Sequence, residues 1–301
     1  MNVILIPFFL AANVVVKDTS EWTYGPEYLY NMNLTVVIKS DLDPAEPIGN
    51  MELISAMKCR PMVAENSLLC IVQNFKTNVG LKTLEEENTT HEIKTEKMFK
   101  IKFNERGVES LLIESPSRIQ IVDLIRKFAN QLSVGVDMGK IGMSHFTGRE
   151  NISMVNCTTT YKITREELPK TLETHMTNNA DFQLVVLPMA DARPGTSLTI
   201  EKSRMGCNNS PRYHRESPVG TLKMVKFSSM VFVDGASGFE TYTEMDMEMR
   251  KEFLNFNICT TFAFNIRLNL DSIMPAQDPL PSISNGELFD LNSYDILSNM
   301  Y

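Results

Sequence analysis

Five cysteines, Cys59, Cys70, Cys157, Cys207 and Cys259, are the side chains of this 301-residue sequence best suited to covalent chemistry. An odd count allows two disulfides and one thiol left over, and no two cysteines form the Cys-x-x-Cys pair that binds zinc or runs thiol exchange. Cys59 and Cys70 flank the turn-rich stretch Arg60-Pro-Met-Val-Ala-Glu-Asn66 between two apolar runs. A bridge across that hairpin and a pair of buried thiols suit the pattern equally. Five Asn-x-Ser/Thr sequons, at Asn33, Asn88, Asn151, Asn156 and Asn208, accept glycans only in a chain that enters the secretory route, and Asn156, beside Cys157, is the weakest of them.

Catalytic arrangements are missing from the sequence. It holds no Gly-x-Ser-x-Gly elbow, no phosphate-cradling glycine loop and no His-Glu-x-x-His motif. His91, His145, His175 and His214 are scattered; Ser144 and His145 are adjacent, and neighbours along a strand point to opposite faces. Glu244 and Asp246 read as a solvated strand face sooner than as an acid/base pair. No catalytic residue, metal or cofactor is expected. The formal charge of -8, the pI near 5.2 and the lack of a Lys/Arg run argue against a nucleic-acid partner. At 43% hydrophobic and 22% charged residues, the composition is that of a globular protein, one large all-β domain or two modest ones.

The elements that must position these groups are mostly strands. Residues 1–16 form an apolar leader, too short to cross a bilayer, which reads as a signal peptide, with a buried first strand as the competing assignment. Leu34 to Ile38, Met51 to Cys59, Leu68 to Phe75, Met98 to Phe103 and Val108 to Ile113 follow as β-rich runs. Further on, Met245, Met247 and Met249 alternate with Glu244, Asp246, Glu248 and Arg250, so one face of that strand is Met-lined and buried. From Leu254 to Leu270 the even positions are apolar or Thr260, a period of two long enough to demand strong curvature or a bulge near Ala263. Residues 274–301 read as an irregular tail or linker.

One helix interrupts the strands, over about 117–134. Ser117 and Gln120 fit a capping box and Gly135 a stop. Ile121, Leu124, Ile125, Phe128 and Leu132 share a wide apolar face, opposite a narrow stripe of Asp123, Arg126, Lys127 and Asn130. Periodicity leaves open whether that face packs on one sheet or is wrapped by a curved one.

Residue order then carries a resemblance. Trp22-x-x-Gly25-x-Glu27-Tyr28-x-Tyr30, Glu150-x-x-Ser153-x-x-x-Cys157-x-x-x-Tyr161-x-Ile163, and Ile200-x-Lys202 leading to Cys207 resemble the N-terminal domain of the large lipid transfer proteins, the family of vitellogenins, apolipoprotein B and the microsomal triglyceride transfer protein. The resemblance covers about residues 19–273. It implies a mainly β fold, an antiparallel β-barrel wrapped around one central α-helix, and a disulfide between Cys157 and Cys207. Asn156 stands where the family has glycine, and the long sheets that hold lipid in the family have no counterpart in this sequence. The family's role is that of a secreted, extracellular lipid transporter or yolk-type nutrient carrier. The expectation is therefore a vitellogenin-like protein whose barrel binds a cell-surface receptor or other protein, lipid being a partner of full-length members. The alternative is a self-contained, lipocalin-like carrier of one small apolar ligand, which needs an empty interior of roughly 300 Å³ or more.

Overall fold

Apolar residues at every second position can be buried only if the chain is extended and its two faces meet different surroundings, and strands accordingly dominate. The computed structural model describes residues 2–5, 10–14, 18–42, 45–81, 89–93, 96–104, 107–135, 144–152, 155–166, 182–186, 197–208, 221–233, 238–253 and 256–289. In chain order the strands are β1 (Asn2–Leu5), β2 (Leu10–Val14), β3 (Pro26–Ser40), β4 (Gly49–Met62), β5 (Ser67–Leu81), β6 (Thr89–Ile93), β7 (Met98–Asn104) and β8 (Gly107–Glu114). After the helix α1 (Ile119–Gln131) come β9 (His145–Ile152), β10 (Val155–Glu166), β11 (Phe182–Val186), β12 (Ser197–Asn208), β13 (Thr221–Val233), β14 (Phe239–Phe253), β15 (Phe256–Pro275) and β16 (Gly286–Phe289).

Thirteen strands make one antiparallel sheet in the order β16-β8-β7-β5-β4-β3-β15-β14-β13-β12-β10-β9, with β6 paired to the far part of β5. The segment read as a signal peptide supplies β1 and β2, which pair with each other, and β2 pairs with β11 on its other side, in a separate three-stranded sheet.

The large sheet curves around the helix. Phe128 is fully buried, edge-on to Tyr30 of β3 (5.7 Å between ring centroids) and to Phe99 of β7 (5.9 Å). Ile121, Leu124, Ile125 and Leu132 are 0–2% exposed in the same core cluster. The expected barrel is corrected in one respect: among the described residues the terminal strands β16 and β9 do not pair, so the sheet is open. The reason lies in the connection. The chain leaves the sheet at β8, runs through α1 and returns at β9, so the two edges flank the segment that follows the helix. The Ser133 hydroxyl accepts from the Val108 N–H of β8 (3.4 Å), and the Ser133 carbonyl accepts from Lys202 Nζ of β12 (2.7 Å). The Val134 carbonyl accepts from the Tyr161 hydroxyl of β10 (3.5 Å). Side-chain and backbone contacts of residues 133 and 134 span the seam that sheet hydrogen bonds leave open. Gly107, at φ 129, is where the chain comes closest: a Cβ there would lie 2.2 Å from Ser133 Oγ.

Three further expectations are revised. The helix begins at Ile119 after an Arg118 N-cap without a side-chain hydrogen bond, because the Ser117 hydroxyl turns back to donate to the Glu114 carbonyl. The bulge in β15 falls at Asp271, where the register against β3 shifts between Leu270 and Ser272, and the buried positions pass from even (Leu268, Leu270) to odd (Ile273). The described part of the segment read as an irregular tail, residues 274–289, includes a short strand. Ala276 is buried and donates to the Gly25 carbonyl (3.0 Å), and Gly286–Phe289 adds β16 to the edge of β8.

Candidate functional site

An apolar interior with a helix inside it keeps its polar groups only where they find partners. Gln131, in the last turn of α1, accepts through Oε1 from both Thr241 Oγ1 (2.9 Å) and Thr243 Oγ1 (3.0 Å) of β14, all three residues buried. Lys202 is 5% exposed, on the inward alternation of Leu198 and Ile200, and its ammonium sits at the helix C-terminal end where unpaired carbonyls favour a cation. The narrow polar stripe of the helix is half-buried to buried: Arg126 is 4% exposed, 3.6 Å from the Asp123 carboxylate, with its guanidinium 5.5 Å from the Phe289 ring centroid. Desolvation holds the Lys127 ammonium below the usual lysine range, and burial pushes the hydroxyls of Tyr28 and Tyr30 well above theirs. Gln131 and Lys202 were not singled out as site residues from sequence, although Lys202 could have been found from its place in the apolar alternation.

Beyond the helix the inward face continues as rows set by register. Met51, Val36, Phe264, Met245 and Phe227 lie opposite one another across β4, β3, β15, β14 and β13, and Ile38, Phe262, Met247 and Met224 form the next row. Val36, Phe264, Phe262 and Met247 are buried, while Met51, Met245, Met249 and Met224 are partly buried against the core. The Met-lined face of β14 thus points inward.

The outward face is polar and its charges are matched between neighbours. Glu244 of β14 meets Lys226 of β13 (2.8 Å), Glu240 meets Arg267 of β15, and Glu201 of β12 meets Lys162 of β10 (3.1 Å). The Lys226 hydrogen bond holds the Glu244 carboxyl below the ordinary range. Such pairs cancel local field more than they stabilise.

Cys59 and Cys70 are opposite each other in the β4–β5 register and joined by a disulfide, with Cα atoms 4.1 Å apart, and Cys259 is a free, half-buried thiol. Cys157 falls on β10 opposite a bulge of β12 that contains Cys207, between the pairs Asn156–Asn208 and Thr158–Met205. The side chains of Cys157 and Cys207 lie outside the described residues, as do those of Asn88, Asn151, Asn156 and Asn208. Asn33 sits mid-strand in β3, half-buried, its amide donating to Glu52 Oε1 (3.3 Å) and its own oxygen closed off from solvent. His91 and His145 are exposed on separate strands, and His175 and His214 lie outside the described residues. No group of three or more metal-ligating side chains is brought together among the described residues.

This arrangement, an antiparallel sheet curved over one helix, has a counterpart among solved structures. The fold is similar to that of lipovitellin. A structure titled "Lipid-protein interactions in lipovitellin" superposes with a TM-score of 0.51 at 9% sequence identity, over 88% of this chain. The chain spans 27% of the lipovitellin chain, about a quarter of that protein's length. The outer membrane protein OprG from Pseudomonas aeruginosa, 8% identical over 85% of this chain and 99% of its own, has a TM-score of 0.15 and carries no argument. No family model and no curated protein matches the sequence.

Proposed function

We propose that this chain is a vitellogenin-like member of the large lipid transfer family and that its strands and helix form that family's N-terminal domain, here an open antiparallel sheet packed on one helix. Its own activity is binding a cell-surface receptor or another protein through polar outer strands and loops. It is secreted, its leader (1–16) is removed, and it carries N-glycans and a Cys157–Cys207 disulfide; it is not an enzyme. The reading rests on the likeness of fold to lipovitellin, together with a helix whose apolar face is buried against the sheet. Phe128, Ile125 and Ala129 are 0% exposed, which supports a helix packed into the sheet over an empty lipocalin-like interior at that place. The test is lipid extraction and mass spectrometry of the protein purified from the medium of secreting cells. The expected result is little or no phospholipid or triglyceride beside a protein that binds cell surfaces saturably. Stoichiometric bulk lipid on the 301-residue chain would overturn it.

A further inference from the structure

Residues 276–285 have no strand or helix of their own, yet they cross one end of the sheet from β15 to β8 as a strap. Arg60, near the end of β4, fastens the strap at its middle. Its Nε donates to Glu27 Oε2 (3.0 Å), its Nη1 to the carbonyls of Asp278 (2.7 Å) and Pro279 (3.3 Å), and its Nη2 pairs with the Asp278 carboxylate. The strap then becomes β16, in register with β8 from Gly286 opposite Glu114 to Phe289 opposite Leu111.

Each position of β16 meets a different demand. At Gly286 a Cβ would lie 2.9 Å from Leu112 Cδ1 and Cγ, so a side chain there requires Leu112 to shift. Glu287 accepts from the Ser115 hydroxyl (3.2 Å). Leu288 is 75% exposed and is read by nothing. Phe289 is partly buried against the core and lies by the buried guanidinium of Arg126. The strand is short: four register pairs, the Ser115 N–H bond to the Asn285 carbonyl (2.9 Å), the Glu287 and Phe289 contacts and one arginine on the strap hold it, while residues 107–110 of β8 have no strand on that side among the described residues.

We propose that the outer edge of β8 is a strand-addition site for an extended peptide of a partner protein with the pattern glycine, acid, any residue, aromatic, and that residues 286–289 fill it in cis. A sheet edge offers a row of backbone donors and acceptors that any extended chain can pair with, so selectivity has to come from flanking contacts. Here they are the Leu112 wall, the Ser115 hydroxyl and the Arg126 guanidinium. A tethered strap competes at millimolar effective concentration, so a peptide in trans binds weakly until the clamp is loosened. This goes beyond the function proposed above, because it needs neither lipid nor receptor and stands or falls without the family assignment.

The probe is a fluorescein-labelled peptide with the sequence of residues 283–289, titrated into the full chain and into its Arg60→Ala/Gly286→Val variant. The variant should bind at least tenfold tighter than the wild type. Peptides carrying Val for the glycine or Ala for the phenylalanine should lose that gain, and one carrying Ser for the leucine should keep it. Equal binding by wild type and variant, or by the Val peptide and the parent, overturns the proposal. Dimers formed by strap exchange would assign the edge to a second copy and overturn it too. A measurement on the wild type covers a variant that fails to fold: saturating peptide should speed hydrogen exchange at the amides of residues 286–289 several-fold, and unchanged protection refutes displacement.

Discussion

Truncating Phe128 to Ala removes the side chain on which enclosure of the helix turns. The ring is fully buried and edge-on to both Tyr30 and Phe99, at interplanar angles of 71° and 84°, so it joins α1 to two strands that are not neighbours in the sheet. Deleting a buried Phe costs about 3–5 kcal/mol through lost transfer free energy and the cavity left behind. Two edge-on aromatic pairs, each worth about 0.5–1.5 kcal/mol beyond area, place this site toward the upper end of that range. Against a total stability of roughly 5–15 kcal/mol, such a loss is severe. The assay is urea unfolding followed by the fluorescence of Trp22, the only tryptophan, which packs against the core. Phe232→Ala, at an outward position 37% exposed, is the control and should stay within about 0.5 kcal/mol of wild type. If Phe128→Ala costs less than about 1 kcal/mol, or no more than the control, the helix is not enclosed as described and the reasoning fails.

Three other outcomes follow from the same geometry. The Cys59–Cys70 disulfide closes a loop of about 12 residues, so the Cys59→Ala/Cys70→Ala pair should lose about 3 kcal/mol in the chain-entropy model; non-reducing peptide maps should show this bridge, and mass mapping after alkylation should mark Cys259 without prior reduction. Asn33 should carry no glycan in secreted protein, because its amide is engaged by Glu52 in mid-sheet; a glycopeptide covering Asn33 would contradict this. Asp278 and Glu244 are held below their ordinary pKa by hydrogen bonds from Arg60 and Lys226. Their stabilisation is therefore complete above the unfolded carboxylate pKa of about 4 and is lost as pH falls through the lower folded values. Urea midpoints should hold from pH 7 to about 5 and drop below about 4, with Asp278→Asn removing part of the slope; a midpoint unchanged down to pH 3 would refute it.

What the sequence shows well is which residues share a face, because burial on one side imposes a period that composition alone cannot mimic. The helix face of Ile121 to Leu132 and the Met-lined side of β14 are of that kind. Where elements begin and end is harder to read. Ser117 has the chemistry of a cap, but its hydroxyl is taken by the Glu114 carbonyl, a preference that depends on how the chain turns before the helix. The bulge at Asp271 leaves its mark only as a change of parity from Leu270 to Ile273, which a reading that stops at Leu270 misses. Closure of the sheet is least legible, since it depends on two strands separated by a helix and on the backbone of residues 133–134. The strap carries almost no pattern: it is held by backbone carbonyls and by Arg60, which lies more than two hundred residues away in sequence.

An open sheet with one face packed on a helix restricts where this chain can meet anything else. Near α1 the inward face is committed to the helix, so exposing it there would require breaking the contacts that Phe128 and Gln131 make. On the outward face, cross-strand pairs such as Glu244–Lys226 and Glu201–Lys162 satisfy each other, and a partner docking over those pairs would have to compete with them. Edges differ in kind. An uncovered edge has N–H and C=O groups that another strand can pair without breaking a bond, whereas at β8 the four register pairs to β16 have to be exchanged. Of the two edges that the open topology creates, the one at β8 is already covered by a segment whose glycine, acid and aromatic contacts are visible, and only its cis occupant has to be displaced. The opening that keeps the sheet from being a barrel therefore also creates the surface at which its own backbone can recognise a partner.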